Sequence, residues 1–153
     1  MGEKMNIHTK YHGEIEVNPE NMITFENGIP SFEEENEFIL LELGEDTPFL
    51  VMQSVNTSAV AFLVAEPFNF YQEYEIALTD TVIEKLKIGN KEDVALFGIL
   101  TVKEPFEQTT MNLKGPIVIN SKEKLGRQIV VNEGSYHTRH LIFQPKSSTG
   151  EER

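Results

Sequence analysis

Phe38-Ile39-Leu40-Leu41-Glu42-Leu43, Phe49-Leu50-Val51-Met52-Gln53 and Val60-Ala61-Phe62-Leu63-Val64-Ala65 follow one another inside residues 38–65. Each is a short apolar run bounded by Gly44, Pro48, Ser54, Asn56 or Ser58. Such runs are too short for helices, and their lack of polar alternation is the pattern of strands buried on both faces. The same reading extends outward. Ile7, Thr9 and Tyr11, then Ile15 and Val17, alternate with polar residues and predict one long strand bulged near Gly13. Asn18-Pro19-Glu20-Asn21 reads as a turn, Met22 to Glu26 as a short strand, and Asn27-Gly28-Ile29-Pro30 as another turn.

Downstream, strands are expected at Val94 to Val102, Thr109 to Leu113, Ile117 to Asn120, Gln128 to Asn132 and Tyr136 to Phe143. One helix interrupts them near residues 80–88. Thr81 and Glu84 have capping-box spacing, Val82, Ile83 and Leu86 form one apolar face, and Gly89-Asn90 stops the turn. Nine or ten short strands with frequent turns predict an all-β domain, a small barrel or sandwich, over residues 1–143. Residues 144–153 carry no apolar side chain after Pro145 and are expected to form a disordered tail.

The charge is lopsided. Residues 1–76 hold 15 Asp/Glu against 2 Lys/Arg, a net of −13, whereas residues 77–153 hold 10 against 11. The acid peaks at Glu33, Glu34, Glu35 and Glu37, with Glu42, Glu45 and Asp46 close behind. This field repels nucleic acid and anionic membrane and attracts basic proteins; its plainer role is solubility. The absence of cysteine excludes disulfides and thiolate chemistry. With neither a long apolar run nor a basic-then-apolar start, the chain is expected to be cytoplasmic. Gly2 to Lys4 read as leader residues before a natural start at Met5.

Chemistry has few candidates. His137 and His140 are three apart, which on a helix would converge on a metal. In a strand they point to opposite faces, so neither a metal nor any other cofactor is expected. Ser135 lacks a nucleophile elbow, the glycines are isolated, and with 25 carboxylates any one pair carries no information. The densest aromatic cluster, Pro67-Phe68-Asn69-Phe70-Tyr71-Gln72-Glu73-Tyr74, is flanked by Glu66 and Glu75, the wrong sign for RNA. It reads either as a corner capping the core or as a protein-binding hot spot.

Three blocks in order resemble the FliW family of flagellar assembly factors. These are Gly28-Ile29-Pro30-Ser31-Phe32 with Phe38-Ile39-Leu40-Leu41; Val60-Ala61-Phe62-Leu63-Val64 with Pro67-Phe68; and Asn112-Leu113-Lys114-Gly115-Pro116-Ile117-Val118-Ile119-Asn120 with Arg127-Gln128-Ile129-Val130. The resemblance spans roughly residues 5–143. It implies a barrel-like protein without catalytic activity that binds the RNA-binding repressor CsrA and so releases flagellin translation. Flagellin in turn would sequester the protein, making it a partner switch.

Candidate partner-binding residues are Glu33, Glu34, Glu35 and Glu37 in the acidic run, and Phe70, Tyr71, Glu73 and Tyr74 at the aromatic corner. A competing edge comprises Asn120, Lys122 and Arg127. Two alternatives stand beside this reading: a small metal-dependent hydrolase using His137 and His140, and a flagellin chaperone without CsrA binding.

Overall fold

The structure is a computed structural model that describes residues 4–132 and 135–143; the expected tail at 144–153 and the Glu133-Gly134 joint lie outside the described residues. The three apolar runs are antiparallel neighbours: β4 (Glu37–Glu42), β5 (Phe49–Ser54) and β6 (Ala61–Ala65). Beside β4 lies β3 (Ile23–Thr24), and beside β6 lies β7 (Val94–Thr101). The sheet closes because β7 also pairs with β9 (Ile117–Asn120), β9 pairs with β10 (Leu125–Gln128), and β10 meets β3 in parallel at Leu125 and Thr24. Seven strands thus form a barrel-like ring. β8 (Thr110–Met111) and β11 (His140–Leu141) extend it beyond the end of β7.

β7 serves both sides of the closure because it changes partner along its length. Val94 to Phe97 face β9, Gly98 and Ile99 face β6, and Leu100 and Thr101 face β8. Gly98 sits at the first change, where a Cβ would come within 2.5 Å of the Met111 side chain. The missing side chain is what lets Met111 pack against the backbone there.

The period of two explains the packing. Phe38, Met52, Val64, Phe97, Ile117 and Ile119 point inward and, with Ile23, Phe25 and Ile29, fill the barrel. Apolar residues of the opposite phase are covered from outside. Ile39 packs under Ile7 and Val17, Val118 under Val82 and Leu86, and Ala65, Leu100 and Met111 under Tyr74 and Ile142. Runs apolar at every position are therefore buried on both faces, as their composition requires.

Five expectations need correction. Residues 5–17 are not one bulged strand but a hairpin, β1 (Met5–His8) with β2 (Glu14–Val17), in register Met5 to Val17. Gly13, at φ 68°, supplies the reversal, and Thr9 Oγ1 donates to its carbonyl at 2.7 Å. The helix α1 (Asp80–Lys85) is capped by Thr79, whose Oγ1 accepts from the Val82 N–H at 3.2 Å; Thr81 lies inside it. Val82 and Leu86, four apart, are its buried stripe, while Ile83 is exposed. The strand expected at 128–132 is shifted to β10, and that at 136–143 shrinks to β11. In all, eleven strands occur among the described residues.

Candidate partner-binding site

β4 separates the two strongest sequence candidates. Glu37 begins the strand and pairs across it with Thr24; Glu42 ends it. The acidic run precedes the first end, and the aromatic corner follows Ala65 at the second, where Phe49 pairs with Ala65. Five residue steps of about 3.3 Å put the ends roughly 17 Å apart. They are two surfaces, not one.

At the first end, Glu33 and Glu34 are exposed, and Glu35 and Glu37 half-buried. The Glu35 carboxylate accepts from Ser54 Oγ at 2.5 Å and Thr57 Oγ1 at 2.8 Å. Ser54 Oγ in turn accepts the N–H groups of Asn56 and Thr57. Glu35 thus clasps the β5–β6 turn, while Glu33, which accepts the Ser31 N–H at 3.2 Å, and Glu34 are the exposed carboxylates of the run. A groove beside the single-residue contact between β3 and β10 is lined by Glu26, Gly28, Glu33, Lys85 and Arg127. The fold here brings together Glu33 and Arg127, which the sequence assigned to rival sites.

The competing C-terminal edge changes character. Asn120 is buried, not part of an exposed turn. Its Nδ2 donates to the carbonyls of Leu86 at 2.7 Å and Lys87 at 3.1 Å, and its Oδ1 accepts from the N–H groups of Lys122 and Glu123. It therefore satisfies the carbonyls at the end of α1 while holding the β9–β10 turn. Lys122 is exposed and Arg127 half-buried.

The aromatic corner is part core, part surface. A 3-10 turn at Pro67–Asn69 buries Pro67 and leaves Phe68 exposed. Tyr74, 3% exposed, is a core residue whose hydroxyl donates to the Leu113 carbonyl at 2.8 Å and whose ring meets Tyr136 edge-on at 4.7 Å. Phe70 and Tyr71 are half-buried and Glu73 exposed. Tyr71 donates its hydroxyl to the Leu141 carbonyl, tying the corner to β11.

The histidine expectation is overturned. Residues 135–139 do not form a strand, so His137 and His140 do not diverge; their rings stack with centroids 3.8 Å apart. His140 Nε2 accepts the His137 backbone N–H at 3.0 Å, which occupies that lone pair. Among the described residues no group of three His, Cys, Asp or Glu side chains is placed to hold a metal.

Burial, and then the neighbouring His137 ring, lower the His140 pKa below the ordinary histidine value. The unfolded chain therefore takes this proton first on acidification. The His140 contribution to stability is full above the unfolded pKa, about 6.5, and is lost as pH falls through the folded pKa. An NMR titration is expected to place His140 below the ordinary value, with the 135–143 segment loosening as it protonates. A His140 midpoint at or above the ordinary value would contradict this.

Fold and surface together define a small acidic β-barrel whose acidic run and aromatic corner lie at opposite ends of β4 and which, among the described residues, holds no group of three His, Cys, Asp or Glu placed to bind a metal. A family model described as FliW protein matches residues 6–142. The flagellar assembly factor FliW of Geobacillus kaustophilus (strain HTA426) is 50% identical over 142 residues, covering 93% of this chain and 98% of its own. That of Bacillus subtilis (strain 168) is 46% identical over 138 residues, covering 90% and 96%. A crystal structure of the flagellar assembly factor FliW superposes with a TM-score of 0.88 at 48% identity, covering 94% of this chain and all of that one. The chain belongs to the FliW family. No described helix is long and apolar enough to cross a membrane.

Proposed function

We propose that this chain is a non-enzymatic, cytoplasmic regulator of flagellar assembly. It binds and antagonises the translational repressor CsrA, relieving repression of flagellin messenger RNA, and is itself sequestered by flagellin. It needs no cofactor and touches neither nucleic acid nor membrane directly. The near full-length likeness to flagellar assembly factors carries this reading. The charge supports it: a net of −12 concentrated in the first half suits a basic, RNA-binding partner. Two partner surfaces at opposite ends of β4 suit a protein that exchanges partners by occupancy, through overlap or coupling.

Pull-down with purified CsrA and flagellin, singly and together, is expected to show each binding alone and flagellin displacing CsrA. Flagellin binding without CsrA binding would instead make the protein a chaperone. Association with CsrA should slow steeply as ionic strength rises past the ~0.1 M at which the Debye length is about 10 Å. Changing Glu33 and Glu34 together to Gln should lower the on-rate more than it raises the off-rate. Glu35 is left in place because its carboxylate holds the β5–β6 turn. An on-rate indifferent to salt would reduce these carboxylates to solubility charges.

A further inference from the structure

A ladder of aromatic rings crosses the end of the barrel where β5 begins. Phe70 stacks on Phe49 with centroids 6.2 Å apart, Phe106 meets Phe49 edge-on at 5.7 Å, and Phe143 lies 5.4 Å from Phe106. The rings come from four separate segments: the aromatic corner, the start of β5, the β7–β8 connection and the residues after β11. Packing does not seal them. Phe106 and Phe143 remain 38% and 39% exposed, and Leu141 beside them on the chain 42%. Aromatic surface left in water at the junction of four segments is recoverable only by something laid across it.

The rim selects the occupant. Glu42, Glu45 and Asp46 lie on the chain leading into Phe49, and Glu104 and Glu107 flank Phe106; all five are exposed. Lys103 is the only cation in residues 42–48 and 102–108. A second copy would bring the same carboxylates against these, and residues 144–153 have no apolar side chain after Pro145 to fill the surface. We infer that the Phe70–Phe49–Phe106–Phe143 ladder is a docking surface for a protein segment that carries apolar anchors flanked by Lys or Arg. The apolar side chains cover the rings at the desolvated centre, and the cations pair with the acidic rim. This deepens the regulator reading and rests on it only in expecting such a segment on one of the two partners.

Two measurements test it independently. The first is an NMR titration of labelled protein with a synthetic amphipathic peptide of Leu and Lys, against a Leu and Glu twin. Shifts should concentrate at residues 43–49, 102–107 and 141–143 for the basic peptide and vanish for the acidic one. Shifts centred instead on Glu33 and Glu34, or none, overturn the proposal. The second is affinity for CsrA and flagellin in the Phe106→Ala, Phe143→Ala double variant and in Glu104→Gln, Glu107→Gln. The first variant should lose at least about tenfold for one partner with little change in melting temperature, and the second should lose several-fold. The charge variant removes no packed side chain, so it stays informative if the aromatic variant unfolds. Wild-type affinity for both partners in both variants overturns the surface but leaves the regulator reading standing. If neither partner binds the native chain while the basic peptide still maps to the ladder, the regulator reading falls and the surface stands.

Discussion

Gly28→Ala is expected to cost about 3–5 kcal/mol of folding stability, combining a left-handed backbone penalty of ~1–2 kcal/mol with forced backbone displacement. Gly28 has φ 68°, and a Cβ built on it would lie 2.6 Å from both the Cα and the carbonyl oxygen of Glu33. Those atoms are backbone and cannot rotate away. The loop around them is already closed by the Ile29–Phe32 bridge and by the Gly28 N–H donating to the Phe25 carbonyl at 2.9 Å. Gly13 supplies the control: its φ is also 68°, yet nothing lies within 4 Å of the point a Cβ would occupy there. Gly13→Ala should therefore cost only the conformational part, about 1–2 kcal/mol. Chemical denaturation of both variants isolates the clash as the difference. Equal losses would show that the Glu33 backbone gives way freely. Because this loop carries Glu33 and Glu34, the Gly28 variant should also alter salt-dependent association with a basic partner.

That glycine opens the first block of sequence that resembles the family, and its geometry shows why short motifs were informative. The strands at 38–65 were legible because burial on both faces demands unbroken apolar runs, a signal that survives without tertiary knowledge. Barrel closure was not. It depends on β7 exchanging β9 for β6 and then β8, and on one parallel contact between Leu125 and Thr24; neither leaves a periodic trace. The first hairpin was misread for a related reason. Alternation through Thr9 and Tyr11 persists across a reversal, and only the positive φ of Gly13 breaks the strand.

The site was legible in composition rather than in arrangement. Acid and aromatics were visible, but sequence distance hid which residues meet. Glu33 and Arg127 share a groove, whereas the acidic run and the aromatic corner occupy opposite ends of β4. Glu35 and Asn120 looked like surface residues because they are polar. Each instead satisfies buried or turn backbone and hydroxyl groups, a role set by partners remote in sequence. Phe49, Phe106 and Phe143 escaped notice because one ring per segment forms no cluster until the chain folds. Phe106 opens a 3-10 turn between β7 and β8 and Phe143 follows β11, both outside the strands, which was the available hint.

Tyr74 gives the sharpest separation of core from surface at the aromatic corner. Sequence named it with Tyr71 among the candidate partner-binding residues and left open whether the corner caps the core; its burial makes Tyr74 core. Tyr74→Ala should cost about 3–5 kcal/mol, the range for deleting a large buried ring. It empties the contact with Tyr136 and Phe68 and removes the donor to the Leu113 carbonyl. Tyr74→Phe keeps the ring and removes the hydroxyl that donates to the Leu113 carbonyl, so about 1–2 kcal/mol is expected. Phe68→Ala, on an exposed ring, should change stability by less than about 1 kcal/mol. Denaturation curves rank the three, and partner binding then has an unambiguous meaning. A loss in Tyr74→Ala that Tyr74→Phe does not share reports a disordered corner. A loss in Phe68→Ala at unchanged stability reports a contact made by the surface itself. Should Tyr74→Ala melt like the native chain, the ring would not be core, and Tyr71 and Tyr74 would return together as candidate anchors.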